Sequence, residues 1–134
     1  MPDKATRERA QRARRQGKAP TTQAGEFVRE EIEHIREGKH GARSAKQAIA
    51  IGLSKARRAG VRLKPPTGVS ARTRRQAARD SRKGQSGRAA RPSPRRSRAT
   101  LRALAREGHG AASREALSRQ ARSSPGRRRR RKRA

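Results

Sequence analysis

Large apolar side chains are concentrated in one short stretch of the chain, and that concentration limits what it can fold into. Phe27, Val28, Ile32, Ile35, Ile49, Ile51, Leu53, Val61 and Leu63 lie between positions 27 and 63, and beyond Pro66 large aliphatics nearly vanish. Phe27 is the only aromatic residue, and hydrophobic residues make up 28 % of the 134, many of them alanine. Too little apolar area is present to offset the ordering entropy of a compact domain over the whole length. The expected fold class is therefore small all-α. A helical hairpin over about 23–60 is flanked by a basic N-terminal arm and a long, largely disordered or transiently helical basic C-terminal tail.

The hairpin reads directly from spacing. Val28, Ile32 and Ile35 follow i, i+4, i+7, with Phe27 at the edge of the same face. Glu26, Glu30, Glu33 and Glu37 fall on the opposite, solvent-facing side. This predicts a helix from about Gln23 to Glu37, ended at Gly38. Ser44-Ala-Lys-Gln47 fits a capping box and opens a second helix that runs to about Ala59, with Gly60 as its left-handed stop. Ala45, Ala48, Ile49, Gly52, Leu53 and Ala56 form its inner face, and the small residues among them allow close helix approach. The expected core is Phe27, Val28, Ile32, Ile35, Ile49 and Leu53, with Val61 and Leu63 covering the open end. Ile51 points outward and is the candidate partner contact, the residue a homodimer would use.

Charge divides the chain into three parts. Residues 1–22 carry a net +5, residues 23–63 a net +4 and residues 64–134 a net +21, together the formal +30 of the whole. These are read as a basic arm, a helix–loop–helix unit and an Arg/Ala/Ser-rich tail. Within the tail, Ser70–Arg82 and Ser97–Glu107 have helical potential. A degenerate repeat is also visible. Arg36-Glu-Gly-Lys-His-Gly-Ala-Arg-Ser44 is echoed by Arg106-Glu-Gly-His-Gly-Ala-Ala-Ser113, and the echo extends through 122.

A chain with 40 Lys+Arg against 10 Asp+Glu is drawn to dense phosphate arrays, and counterion release drives the binding. Arginine outnumbers lysine 32 to 8, which suits paired gripping of phosphate oxygens. The expected nucleic-acid contacts are Lys46, Arg57 and Arg58 on the second helix, then Arg62, Lys64, Arg72, Arg74 and Arg75. Arg95 and Arg96 follow, in a Ser93-Pro94-Arg95-Arg96 string like the minor-groove turns of histone tails. The terminal run Arg127, Arg128, Arg129, Arg130, Arg131, Lys132 and Arg133 reads as a phosphate clamp. The near absence of aromatic stacking platforms favours duplex over single-strand binding.

Catalytic patterns are lacking. The chain has no cysteine, no phosphate loop of the G-x-x-x-x-G-K-[ST] type and no G-x-S-x-G elbow. His34, His40 and His109 do not show the i, i+4 spacing of a helical zinc pair, so neither metal nor cofactor is expected. No signal peptide is read in residues 1–20, and the Ala48–Leu53 apolar run is too short to span a bilayer.

The string SAKQAIAIGLSKARRAG at 44–60 resembles a family of small basic bacterial proteins of unknown function built around a KQAIAI-L core, often labelled plasmid stabilisation or DNA-binding protein. The resemblance covers roughly Glu26 to Val61, and more loosely Ala112 to Arg122. Lys46, Gln47, Ala48, Ile49, Ala50, Ile51, Leu53, Ser54, Ala56 and Arg57 carry it, and the chain departs at Lys55, where an acid is more usual. It implies a bacterial origin and DNA association.

The expected function is non-enzymatic DNA binding of a nucleoid-associated or plasmid-maintenance type, with weak sequence preference. Duplex DNA is the favoured partner, and neither a membrane nor a small-molecule substrate is expected. The location is then cytoplasmic at the nucleoid, or nuclear in a eukaryote. The alternatives are an RNA-binding or ribosome-associated basic protein, and a protein-interaction module with an electrostatic anchor.

Overall fold

The computed structural model describes residues 2–86 and 93–123. Among them are six α-helices and one 3₁₀ turn, with no strand. The helices are α1 (Lys4–Arg15), α2 (Pro20–Arg36), α3 (Ala45–Arg58), α4 (Ala71–Gln85), α5 (Pro94–Ala105) and α6 (Arg114–Ser123). The 3₁₀ turn, Gly110–Ala112, precedes α6. The fold is thus all-α as expected, but α2 and α3 are the centre of a larger helical body rather than a free hairpin. Helix α1 packs on α2, α4 packs on α3, and the 3₁₀ turn and α6 lie against the hairpin.

Local signals set the ends of α2 and α3. Helix α2 starts earlier than the apolar periodicity suggests, because Pro20 suits the first helical position, where its missing N–H is not needed. It ends where Gly38 takes φ 77° and the Lys39 amide reaches back to the His34 carbonyl at 2.9 Å. Ser44 caps α3, its Oγ accepting from the Gln47 amide at 3.2 Å. The Gln47 side chain accepts from the Arg43 amide at 2.7 Å, one residue earlier than a regular capping box has it. Gly60 closes α3 at φ 97°, and the Val61 amide bonds the Ala56 carbonyl at 3.0 Å.

Two small cores hold the body together. Ala10, Ala24, Phe27, Ala56 and Val61 form one, with Leu53 and Leu63 against it. Ile35, Ala42, Ala48, Ala111 and Ala112 form the other, joined by Ile32. Burying Phe27 alone contributes about 1.5–3 kcal/mol. Of the expected core, Phe27 and Ile35 are fully buried, whereas Val28, Ile32, Ile49 and Leu53 are half-buried. Gly52 is where α2 and α3 come closest: a Cβ there would stand 2.6 Å from the Val28 Cα.

The basic arm is a helix over most of its length. Thr6, Ala10 and Ala13 recur at i, i+4, i+7 and form its buried stripe. The acidic face of α2 is what α1 covers: the Arg9 Nε–Glu26 Oε2 distance is 2.9 Å, and the Asp3 amide donates to Glu30 Oε1 at 2.7 Å. The expectation that Glu26, Glu30, Glu33 and Glu37 face solvent therefore fails for Glu30, which is buried, as is the neighbouring Glu31. One helix with one partner would leave that face open, but α2 has partners on two sides.

Among its described residues the tail carries helices α4 and α5 near the two stretches with helical potential, and α6 in the second copy of the repeat. Helix α4 is capped by Ser70, whose Oγ accepts from the Thr73 amide at 3.2 Å. Gly84 lets it approach α3, since a Cβ there would stand 1.9 Å from the Arg57 carbonyl oxygen. The two copies of the repeat lie side by side. The Ala42 amide bonds the Gly108 carbonyl at 3.0 Å, and Arg36 Nε donates to the Ala112 carbonyl at 3.0 Å. Ser113 opens α6 much as Ser44 opens α3, accepting from the Ala116 amide at 3.1 Å.

Candidate nucleic-acid interface

The outward faces of α1, α4, α5 and α6 carry arginines. On α4, Arg72, Arg74, Arg75, Arg79 and Arg82 are exposed, and on α5 Arg95, Arg96, Arg98 and Arg102 are exposed. Arg7, Arg12, Arg14 and Arg15 on α1 and Arg114, Arg119 and Arg122 on α6 are exposed as well. Among the described residues, none of these guanidinium groups lies within 4.0 Å of a carboxylate. Acids elsewhere are engaged by their own chain: Glu8 with Lys4, Glu26 with Arg9, Glu33 with Arg29, Glu37 with Lys39 and Asp80 with Arg58.

The fold sorts the expected contacts into groups. Lys46, Arg62, Lys64, Arg72, Arg74, Arg75, Arg95 and Arg96 are exposed. Arg57 is buried at 8 % exposure, and its Nη2 donates to the Lys64 carbonyl at 3.3 Å, so it is not available to a phosphate on the surface. Arg58 reaches Asp80 Oδ1 at 2.8 Å. Arg127, Arg128, Arg129, Arg130, Arg131, Lys132 and Arg133 lie outside the described residues.

The second helix is less free than a recognition helix needs to be. Asp80 of α4, 1 % exposed, accepts from Ser54 Oγ at 2.7 Å and from Arg58, joining α4 to the face read as outward. Ile51, which shares that face by spacing, is half-buried. Ser93-Pro94-Arg95-Arg96 is not a turn: Ser93 is the cap and Pro94 the first residue of α5. Helix α5 buries only Leu104 and leaves Leu101 53 % exposed, so its Arg95, Arg96, Arg98 and Arg102 stand clear of the body.

Away from this surface the fold gathers a polar cluster that sequence spacing did not reveal. Glu31, His34 and His40 offer ligand atoms within 4.8 Å of one another, and so do Asp3, Glu30 and His34. His40 Nε2 is 3.1 Å from Glu31 Oε2. Lys55 of α3 contacts the other oxygen, Oε1. His34 faces Glu31 Oε1 at 4.0 Å through Nδ1, and Glu30 Oε1 at 3.8 Å and Asp3 Oδ2 at 3.7 Å through Nε2. The two rings meet edge to face, with centroids 5.9 Å apart. Burial pushes the Glu30 carboxyl above its ordinary range, and its side-chain interaction with Glu30 holds the Asp3 carboxyl below. His34 and His40 escape the i, i+4 pattern because His40 lies in the loop after α2 and only the fold brings it back to His34.

Residues 22–68, which take in most of α2 and all of α3, match a protein family of unknown function, DUF6496. No curated protein and no solved structure matches the chain.

Proposed function

We propose that this protein is a non-enzymatic nucleic-acid-binding protein, with duplex DNA as its ligand, and that it binds chiefly through phosphates. One observation carries the reading. Glu26, Glu30, Glu31 and Asp80 are engaged within the body, whereas the arginines of α4 and α5 are exposed and, among the described residues, in no ion pair. A surface of that kind holds a positive potential that condensed counterions on DNA are released to meet.

The helical body supports a division of labour. Helices α4 and α5 present rows of exposed arginines, and each guanidinium fork can grip phosphate oxygens in pairs. The burial of Arg57 and the pairing of Arg58 leave α3 few side chains for base edges, which favours phosphate positioning over base readout. A nucleoid-associated or plasmid-maintenance role fits such binding.

The test is fluorescence anisotropy with labelled duplex DNA, single-stranded DNA and structured RNA of matched length, from 50 to 300 mM salt. Duplex DNA is expected to bind most tightly, with a log–log salt slope near −9 for ~10 phosphate contacts. Structured RNA winning at every salt concentration overturns the choice of DNA. Loss of all binding by about 150 mM overturns the reading as a whole.

A further inference from the structure

We propose that Glu31, His34 and His40 form a binding site for a divalent first-row transition cation of the Zn²⁺ class. Two imidazoles and a carboxylate suit Zn²⁺ and its neighbours, whereas Mg²⁺ and Ca²⁺ take oxygen sets.

The protons carry the argument. His40 Nδ1 is 2.9 Å from the Gly41 carbonyl oxygen, and a carbonyl only accepts, so Nδ1 bears hydrogen. Nε2 then turns its lone pair to Glu31 Oε2 at 3.1 Å. Two acceptors at that distance need a cation or a second proton between them. His34 has no such hydrogen bond, but its Nε2 faces the Asp3 and Glu30 carboxylates at 3.7 and 3.8 Å, and its Nδ1 faces Glu31 Oε1 at 4.0 Å. His40 thus has the carbonyl-backed arrangement that metal-ligating histidines show, and His34 has acids behind it and Glu31 in front.

The distances suit one ion. Ligand atoms around a tetrahedral Zn²⁺ stand about 3.3 Å apart, given bonds of roughly 2.0–2.1 Å. The Glu31–His40 pair is already near this, and the whole set spans no more than 4.8 Å. Lys55 contacts Glu31 Oε1, the oxygen that His34 also faces, while His40 faces Oε2, so an ion shared by both rings would take Oε2 with a small turn of the His34 ring.

A second observation is independent of these three residues. Glu30 is 3 % exposed, its carboxylate lies beside His34, and its Oε2 has no hydrogen-bond partner. That buried acid stands behind His34, on the side of the ring away from Glu31, and adds to the negative character of the cluster. Two of the chain's three histidines and three of its ten acids converge here, from the start of α1, from α2 and from the following loop. In a chain of +30 this cluster gathers three acids, with the Lys55 ammonium already in contact with Glu31.

The test uses the full chain, stripped with chelator, titrated with Zn²⁺ against a competing chelating dye and separately with Co²⁺ while visible absorption is recorded. One ion per chain is expected, with Co²⁺ bands of four- or five-coordinate intensity. His40→Gln and Glu31→Gln should each weaken binding by at least roughly 10-fold, the lower end of what losing even an outer partner costs. His109→Gln should leave it unchanged. Absence of 1:1 uptake by the unmodified chain overturns the site, and so does a His40→Gln chain that binds as the unmodified one does. Should the variants fail to fold by circular dichroism, ring resonances of the unmodified chain decide. Zn²⁺ shifting His34 and His40 but not His109 supports the site, and any other pattern overturns it.

Discussion

The Gly41 amide donates to the Leu104 carbonyl at 2.9 Å, tying the loop between α2 and α3 to the last turn of α5. This bond, with Ala42 to Gly108 beside it, ties the end of α5 and the turn after it to the body. Several consequences can be measured.

Gly41→Ala should detach that segment. A Cβ at Gly41 would stand 2.0 Å from the Glu107 carbonyl oxygen, a backbone atom that cannot swing aside. A loss of about 1–3 kcal/mol in chemical denaturation is expected. Hydrogen exchange should show the Ala42 amide losing protection while α2 and α3 keep theirs.

Glycine to alanine should have opposite signs at two helical positions. At Gly52 the new Cβ meets the Val28 Cα at 2.6 Å, and overpacking of this kind costs about 1–3 kcal/mol. That exceeds the gain of about 1 kcal/mol from helix propensity, so the variant is destabilised. At Gly25, also helical, nothing lies within 4 Å of the added Cβ, and Gly25→Ala should stabilise by about 0.4–1 kcal/mol. Thermal and urea unfolding of both variants checks the signs.

Asp80→Ala should loosen α4 from α3. It leaves Ser54, Arg58 and Gln76 without their shared acceptor. Because Arg58 is partly exposed and can regain water, the loss should be about 1–3 kcal/mol rather than the 3–5 of a fully buried pair. The same change frees the Arg58 guanidinium, so a chain that stays folded should bind duplex DNA no more weakly at low salt.

Replacing Arg72, Arg74 and Arg75 with glutamine should weaken duplex binding uniformly across sequences. If all three contact phosphates, the magnitude of the salt slope falls by roughly 2.7. Exposed positions of this kind change stability by no more than about 0.5 kcal/mol, so a binding loss without a shift in Tm is the expected pair of results. An unchanged slope would place the DNA on another face.

Much of the central hairpin was legible because its signals are local. The glycines that end α2 and α3, the Ser44 cap and the apolar spacing through Phe27, Ile32 and Ile35 act within a turn or two of chain. Helix α1 was not legible, because its buried stripe is Thr6, Ala10 and Ala13, and small side chains give almost no apolar periodicity. Their contribution comes from letting helices approach closely, which needs a partner to exist. For the same reason Glu30 reads as solvent-facing, although the start of the chain covers it.

The amino-acid order by itself determined the charge, the all-helical character and the two central helices with their stops. Each rests on composition or on backbone preferences that act over a few residues. Only the tertiary structure decided which arginines are free and which acids are engaged. It placed Arg57 inside and Arg72 outside, and it brought His40 from a loop onto Glu31 of a helix. Burial and ion pairing depend on distances between segments far apart in the chain, and no local pattern encodes those distances.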